Sequence, residues 1–477
     1  MKLNQFKNQK LKSDIGDIHC MKKSQQFFVG TAKADITPEY GAQISGDIGR
    51  YRPVEEIRDP LYARIVIIKS GDTTACIIVC DMAAMNRDIG LKFRAMIAEI
   101  IGSKPENVMI HCVQSHSALR IGPLTRDYRK ILPPELWWAK GENPSYNELF
   151  INRVLESVRK AINNMVPAKI KFARAIDSRC AFNRRFIMRD GSVKTHPKNC
   201  DENILYCEGP IDPEASLLLF EDIASKPIAG LLHYTCHPIH GYPQRYISAD
   251  WPGLWSEIIS RKLGENCVVG CINGACGNIS PSDHANPAYN RENSLKKMLE
   301  HLTQTGEKLI ENLKPINEIP LKTADRIVRI PWNKLPPERE EKILKMLKEH
   351  PEPIFLDDKK ERISWDWMFA LWDMDNIHNL KINPYYSFEI QVFRIGDAVI
   401  AGWPGEPFVE AQLEVKLKSK SKYTIIGHEC NSDGECGYLP TKTATSRGGY
   451  EAWGRLPPGT LEKITKRTIK VIEKIFA

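Results

Sequence analysis

The chain has 477 residues, 42% hydrophobic and 26% charged, and its 67 basic and 59 acidic side chains leave a net charge of +8. That composition describes an ordinary globular protein with room for one large domain or two fused lobes. The charge is spread out, with no lysine/arginine block interleaved with aromatics, which argues against nucleic-acid binding. No apolar run reaches the length of a membrane span, so stable membrane insertion is not expected. The 13 cysteines are scattered and include no CxxC pair. They read as small core residues in a reducing compartment, not as a disulfide framework or zinc finger. Residues 1–26 are polar and lysine-rich without the apolar segment of a signal peptide. They are expected to be a disordered N-terminal extension, with residues 27–477 folded and the chain cytoplasmic.

The first strand is predicted at Phe27 and runs into a turn that Pro38 helps to close. A glycine-spaced loop, Gly41 to Gly49, precedes a hairpin: Leu61 to Lys69, the turn Ser70-Gly71-Asp72, then Ala75 to Cys80. A helix over Ile89 to Ile101 leads to a short strand, Val108 to Val113, which delivers Gln114-Ser115-His116-Ser117 to a loop. A helix over Tyr146 to Met165 and a strand over Ile170 to Ala175 follow. Residues 178–215 read as irregular, and a loop of that length points to function or disorder.

Strands resume at Ala215 to Phe220 and Ile228 to Tyr234, and the second feeds Cys236-His237-Pro238-Ile239-His240-Gly241. A helix is expected near Pro252, then a strand, Cys267 to Ile272, ending in Gly277-Asn278-Ile279-Ser280-Pro281. Helices are predicted over Arg291 to Leu313 and Pro337 to His350, with a boundary or insertion between them. Strands Phe388 to Arg394 and Ala398 to Gly402 run into Trp403-Pro404-Gly405-Glu406, where a helix to Lys418 should begin. A strand over Tyr423 to His428, a glycine-rich loop through Tyr438 and Tyr450, and a helix from Leu461 complete the chain. This alternation predicts an α/β fold of mixed sheets layered with helices.

One pattern recurs along the chain. An apolar strand stops and a polar or glycine-rich loop presents reactive side chains, at Gln114, at His237, at Asn273 and at Trp403. Such loops can converge on one pocket. Histidines spaced like His237 and His240 bind metals or move protons, although such a pair is more often structural. A histidine, a glutamate and a tyrosine together suit a hydrolytic zinc ion. Asp81 and Asp250 are candidates to orient histidines or to cap helices. His111, within its strand, reads as packing.

These motifs together resemble the neutral/alkaline (non-lysosomal) ceramidase family. The matching residues are Gly30-x-Ala-x-Ala-Asp35-Ile-Thr37-Pro38, Gln114-Ser-His116-Ser117, Asn183-Arg184, the His237 loop, Gly277-Asn-Ile-Ser280-Pro281, Pro404-Gly405-Glu406 and the Tyr438/Tyr450 loop. The resemblance implies a ceramidase-like catalytic domain with one zinc ion held by His237, Glu406 and Tyr438. Tyr450 would contact the reacting amide, and Arg184 would bind the substrate's polar head. Ser280 matches a serine required for activity, as nucleophile or as support for the zinc site. His116 matches the second histidine of the family's His-Thr-His and is a candidate ligand or acid/base.

Two departures qualify this. Gln114 stands where the family has its first histidine, a zinc ligand, and an amide oxygen binds zinc far less well than imidazole. Either His116 serves as ligand, or the metal is held weakly, or it is a different metal; Gln114 itself is a candidate substrate-binding residue. Asn278 replaces an aspartate beside the serine. The family's C-terminal immunoglobulin-like domain and secretion signal are also not seen. The expected activity is therefore hydrolysis of an amide (N-acyl) or related bond in a small soluble substrate. The alternatives are a non-catalytic binding relative, or a hydrolase of other specificity such as a glycosidase or esterase.

Overall fold

The computed structural model describes residues 27–477 apart from 125, 128, 129, 265, 317–319, 432, 433 and 453, so the expected N-terminal extension lies outside the described residues. Its centre is a nine-stranded mixed sheet. The hairpin Tyr62–Ser70/Thr73–Cys80 lies between Phe27–Asp35 and Val108–Cys112. Beyond Phe27–Asp35 come Val166–Ile176, Glu214–Asp222, Pro227–Tyr234 and Val268–Asn273. Side chains alternate across this sheet, as the two-residue period of a strand requires. Ile65, Ile67, Cys76 and Ile78 face the helices Arg87–Ile100 and Pro144–Asn163, while Val66, Ile68, Ile77 and Val79 face inward. The inner face packs on a second sheet of four strands, Leu321–Pro331, Tyr385–Ile395, Ala398–Gly402 and Tyr423–Gly427. The helix Thr460–Phe476 covers that sheet's far side.

The large sheet curls until its ends meet. Gly270, on the strand at one end, lies so close to Val79 that a Cβ there would stand 2.9 Å from the valine Cβ. The Asn273 N–H donates to His111 Nε2 at 2.9 Å, and its side-chain amide donates to the Val113 carbonyl at 3.1 Å. The stretch after Tyr423–Gly427 ties the sheets together. Cys112 N–H donates to the Glu429 carbonyl and Asn431 N–H to the Ile110 carbonyl. His111 is thus structural, as expected of it. Its other nitrogen bonds the His428 carbonyl at 2.7 Å, and burial lowers its pKa to about 3.

In the two large sheets the adjacent parallel pairs are Thr73–Cys80 with Val108–Cys112, Pro227–Tyr234 with Val268–Asn273, and Ala398–Gly402 with Tyr423–Gly427. Their carboxyl ends carry the loops that bear Gln114, His237, Cys276, Glu406 and His428. Ligand sites gather at such ends because the strands aim the loops while the loops stay free to carry polar groups.

Several expectations need correction. Residues 178–215 hold strands Phe182–Asn183, Arg185–Met188, Val193–Thr195 and Ile204–Cys207. These are too short and polar to show a period. The expected boundary after the helix Ser294–Glu311 contains the eleven-residue strand Leu321–Pro331, an edge strand whose lysine, aspartate and arginines disguise it. The helix Trp365–Ile382 escapes the sequence reading because it is apolar on several faces and buries Asp373, which accepts from Arg339 Nε at 2.9 Å. Glu406 does not begin a helix. It lies in a two-residue strand paired with Tyr438–Leu439, and the helix starts at Val409. The described cysteines, Cys200 and Cys207 apart, are buried.

Candidate functional site

Gln114 follows its strand with φ 69, in the left-handed region that side chains other than glycine rarely occupy. Beyond this sharp turn the His116 N–H donates to the Pro238 carbonyl at 3.0 Å, stitching the two histidine loops together. Buried Arg52 donates to the His116, Ser45 and Gln244 carbonyls. Gly46, at φ +86, lies against the imidazole, and a Cβ there would stand 2.8 Å from His116 Cγ. The ring's position is therefore fixed from several sides.

His116 Nε2 and His237 Nε2 face each other at 3.2 Å. His237 Nδ1 lies 3.2 Å from the Cys276 carbonyl, and the His116 ring bonds the Gly46 carbonyl. An imidazole nitrogen beside a carbonyl keeps its proton, so in both neutral rings Nε2 carries the lone pair. Both rings are held neutral. Burial, then Arg52 and Arg184, lowers His116 to about 4; burial, then Arg184 and His116, presses His237 well below the ordinary histidine range.

Glu406 completes this corner. Its Oε2 lies 3.7 Å from His237 Nε2 and is buried without a hydrogen-bond partner. The carboxyl is bonded by Gln114 and Tyr438, and burial raises its pKa against the opposing pull of Arg184. Gln114 is therefore turned to Glu406, with the Cys276 thiol 3.9 Å from its Oε1. Burial raises that thiol's pKa well above the ordinary value, so it remains protonated.

Arg184 is buried beside this corner. Its Nη2 donates to the Gly277 carbonyl at 2.6 Å, and its Nε lies 3.2 Å from Glu451 Oε1 as an ion contact without hydrogen-bond alignment. The guanidinium covers both Tyr438 and Tyr450, at 5.5 and 5.4 Å from the ring centroids. Tyr450 is 48% exposed, yet its hydroxyl end turns inward to Tyr438, and burial lifts its pKa to about 12. Its exposed ring edge marks the mouth of the site. Glu451 is fully buried and also accepts from Arg185 Nη1 at 2.9 Å and the Thr195 hydroxyl at 2.7 Å.

Neither a comparison with models of known families nor one with curated proteins finds a match. Solved structures do match. Neutral ceramidase from Pseudomonas aeruginosa aligns at TM-score 0.68 and 18% identity, over 94% of this chain and 74% of its own. A ceramidase complexed with C2 aligns at TM-score 0.68 and 16% identity, over 94% and 75%. The fold is that of neutral ceramidase.

Within this ceramidase-like fold, His116, His237, Glu406, Tyr438, Tyr450, Arg184 and Gln114 stand together, as the distances above describe. Ser280 is buried, and its hydroxyl accepts from the Ser282 N–H at 3.1 Å. Among the described residues no hydrogen bond joins it to His116, His237 or Glu406. Asn278 serves the fold. Its Oδ1 accepts from Val409 N–H at the start of a helix, and its amide donates to Glu410 at 3.0 Å. Asp81 pairs with Arg64 at 2.7 Å and orients no histidine, whereas Asp250 holds His240 Nδ1 at 2.7 Å.

Sequence reasoning missed Glu451, Arg52 and Cys276. Only the adjacency of Glu451 to Tyr450 hinted at any of them. For a metal, two imidazole lone pairs, an unpartnered carboxylate oxygen and a phenol are a fitting donor set. Among the described residues, however, no group of three or more histidine, cysteine, aspartate or glutamate side chains already stands at metal-holding spacing.

Proposed function

We propose that this chain is a metal-dependent hydrolase of an amide (N-acyl) or related carbonyl bond in a small soluble substrate. The observation that carries the reading is the meeting of His116 Nε2 and His237 Nε2 at 3.2 Å. Two lone pairs so placed repel unless a cation lies against both. Zinc is the cation this donor set suits, held by His116, His237 and Glu406 with Tyr438. In this reading His116 is a ligand, while Gln114 steadies Glu406 from the position where the ceramidase pattern has a histidine. Bound zinc would supply an acidified water and a Lewis acid for the carbonyl.

The chain's own groups do the rest. Tyr450, its pKa raised to about 12, keeps its phenolic proton at neutral pH and donates it as a hydrogen bond to the carbonyl oxygen as charge gathers there. Arg184 adds a fixed positive field and a surface for a polar substrate group. Ser280 supports the loop. One solved relative is a neutral ceramidase, and amide hydrolysis is carried to this chain from there. Among the described residues no helix is long and apolar enough to cross a membrane. A soluble N-acyl or sugar-derived compound in the cytoplasm is the substrate we favour.

The glycosidase alternative loses support because Glu451, the buried carboxylate beside Arg184, is occupied by Arg184, Arg185 and Thr195. Gln114 favours a binding-only relative, and turnover separates that reading from ours. The test is a screen of N-acyl amines, N-acyl amino acids and esters with and without added zinc, beside Tyr450→Phe. Zinc-stimulated amide cleavage that drops roughly 100-fold in Tyr450→Phe is expected. Turnover of esters alone overturns the amide part of the proposal, and no turnover at all with zinc present overturns the whole of it.

A further inference from the structure

A second histidine pair lies beside the proposed mouth. His196 Nδ1 is 3.1 Å from His284 Nε2, and the rings meet edge to face at 65° with centroids 5.3 Å apart. Both are tied to the scaffold of the site. The His196 N–H donates to the Arg184 carbonyl at 3.1 Å, and the preceding Thr195 hydroxyl donates to Glu451 at 2.7 Å. Phe186 stands edge-on to His284, whose carbonyl accepts from the Cys200 N–H.

The tautomers follow from the partners. The Pro197 carbonyl bonds the His284 ring and holds a proton there. His284 Nε2 must then accept, from His196 Nδ1–H, and His196 Nε2 is left as a bare lone pair on a residue that is only partly buried. Burial, then Arg184, His284 and Arg291, lowers the His196 pKa to about 2, so the ring stays an acceptor at neutral pH. Its backbone sits at φ 52, a left-handed conformation uncommon outside glycine. A lone histidine on a loop is usually incidental. One locked into a single tautomer by its neighbours is built to accept.

On the reading that Arg184 and Tyr450 line a substrate mouth, we propose that His196 is a specificity residue whose Nε2 accepts a hydrogen bond from a neutral donor, a hydroxyl or amide N–H, on the substrate's polar end. Carboxylates have no proton to give it at neutral pH, and phosphate monoesters have lost most of theirs. Ammonium groups are repelled by Arg184 and Arg291.

The test compares an N-acyl-2-aminoethanol with its N-acyl-ethylamine analogue, using zinc-supplied full-length protein. His196→Gly removes the ring at a backbone angle that glycine adopts freely, and His196→Asn restores a side-chain acceptor that tolerates the same angle. The wild type is expected to favour the hydroxylated amide about tenfold in kcat/KM, chiefly through KM, as one neutral hydrogen bond allows. The ratio should fall towards one in His196→Gly, recover in part in His196→Asn, and fall in His284→Leu, which releases the tautomer. An unchanged ratio in His196→Gly, or no preference in the wild type, overturns this proposal alone. No turnover of either compound by the wild type overturns the hydrolase reading and this proposal with it.

Discussion

The imidazoles of His116 and His237, 121 positions apart in the chain, meet Nε2 to Nε2 at 3.2 Å, each with its other side tied to a backbone carbonyl. The curled sheet makes this possible. His116 follows the strand at one edge, His237 follows the second strand from the other, and Asn273 and His111 hold the two ends together. The geometry of the proposed metal corner is therefore a property of the whole sheet.

Glu451→Gln tests the arginine clamp. Glu451 is the shared partner of buried Arg184 and Arg185, and removing its charge leaves both under-compensated. Unfolding in urea is expected to show a loss of about 3 kcal/mol. A loss below about 1 kcal/mol would contradict the pairing.

Asn278→Asp would place a second carboxylate against Glu410, whose pKa burial already raises. Destabilisation of about 2 kcal/mol is expected. Adding Glu410→Gln should recover most of it, and a double-mutant cycle reads the coupling directly. Additive losses would mean the two side chains do not interact.

How much of this was legible follows physical lines. The hairpin, the helix near Pro252 and the strand before His237 were readable because apolar periods and turn residues mark them. His237, Glu406 and Tyr438 were readable only through their resemblance to a family, since nothing local distinguishes a ligand from a buried polar residue. The helix Trp365–Ile382 was hidden by tryptophans on several faces and by an aspartate whose arginine partner lies 34 positions away. Glu451 was illegible because its meaning lies in Arg184 and Arg185, more than 260 positions upstream.

Acid sensitivity should be steep. Burial holds His111, His233 and His428 neutral, with pKa values of about 3, 3 and 4. Unfolded histidine titrates near 6.5, so the unfolded chain binds more protons than the folded one below that pH. The stability is complete above about pH 6.5 and is lost as pH falls towards 3–4, at up to about 1.4 kcal/mol per pH unit for each histidine. Asp59 and Asp325, raised by burial to about 6, oppose this with the contribution of two groups. Urea midpoints should therefore fall between pH 7 and pH 5. A flat profile would contradict the buried neutral state.

Gln114→His places an imidazole where Gln114 now bonds Glu406. Zinc affinity measured by competition with a chelator is expected to rise at least roughly tenfold, as a nitrogen donor replaces an amide. Unchanged affinity would mean that this position does not face the metal.

The most direct test is the metal content of the untagged protein by mass spectrometry, beside Glu406→Ala. Near-stoichiometric zinc in the wild type, lost in the variant, is the predicted result. No metal in either protein, even after zinc is added, would contradict the account. One of the facing histidines would then have to carry its proton on Nε2 and donate it to the other.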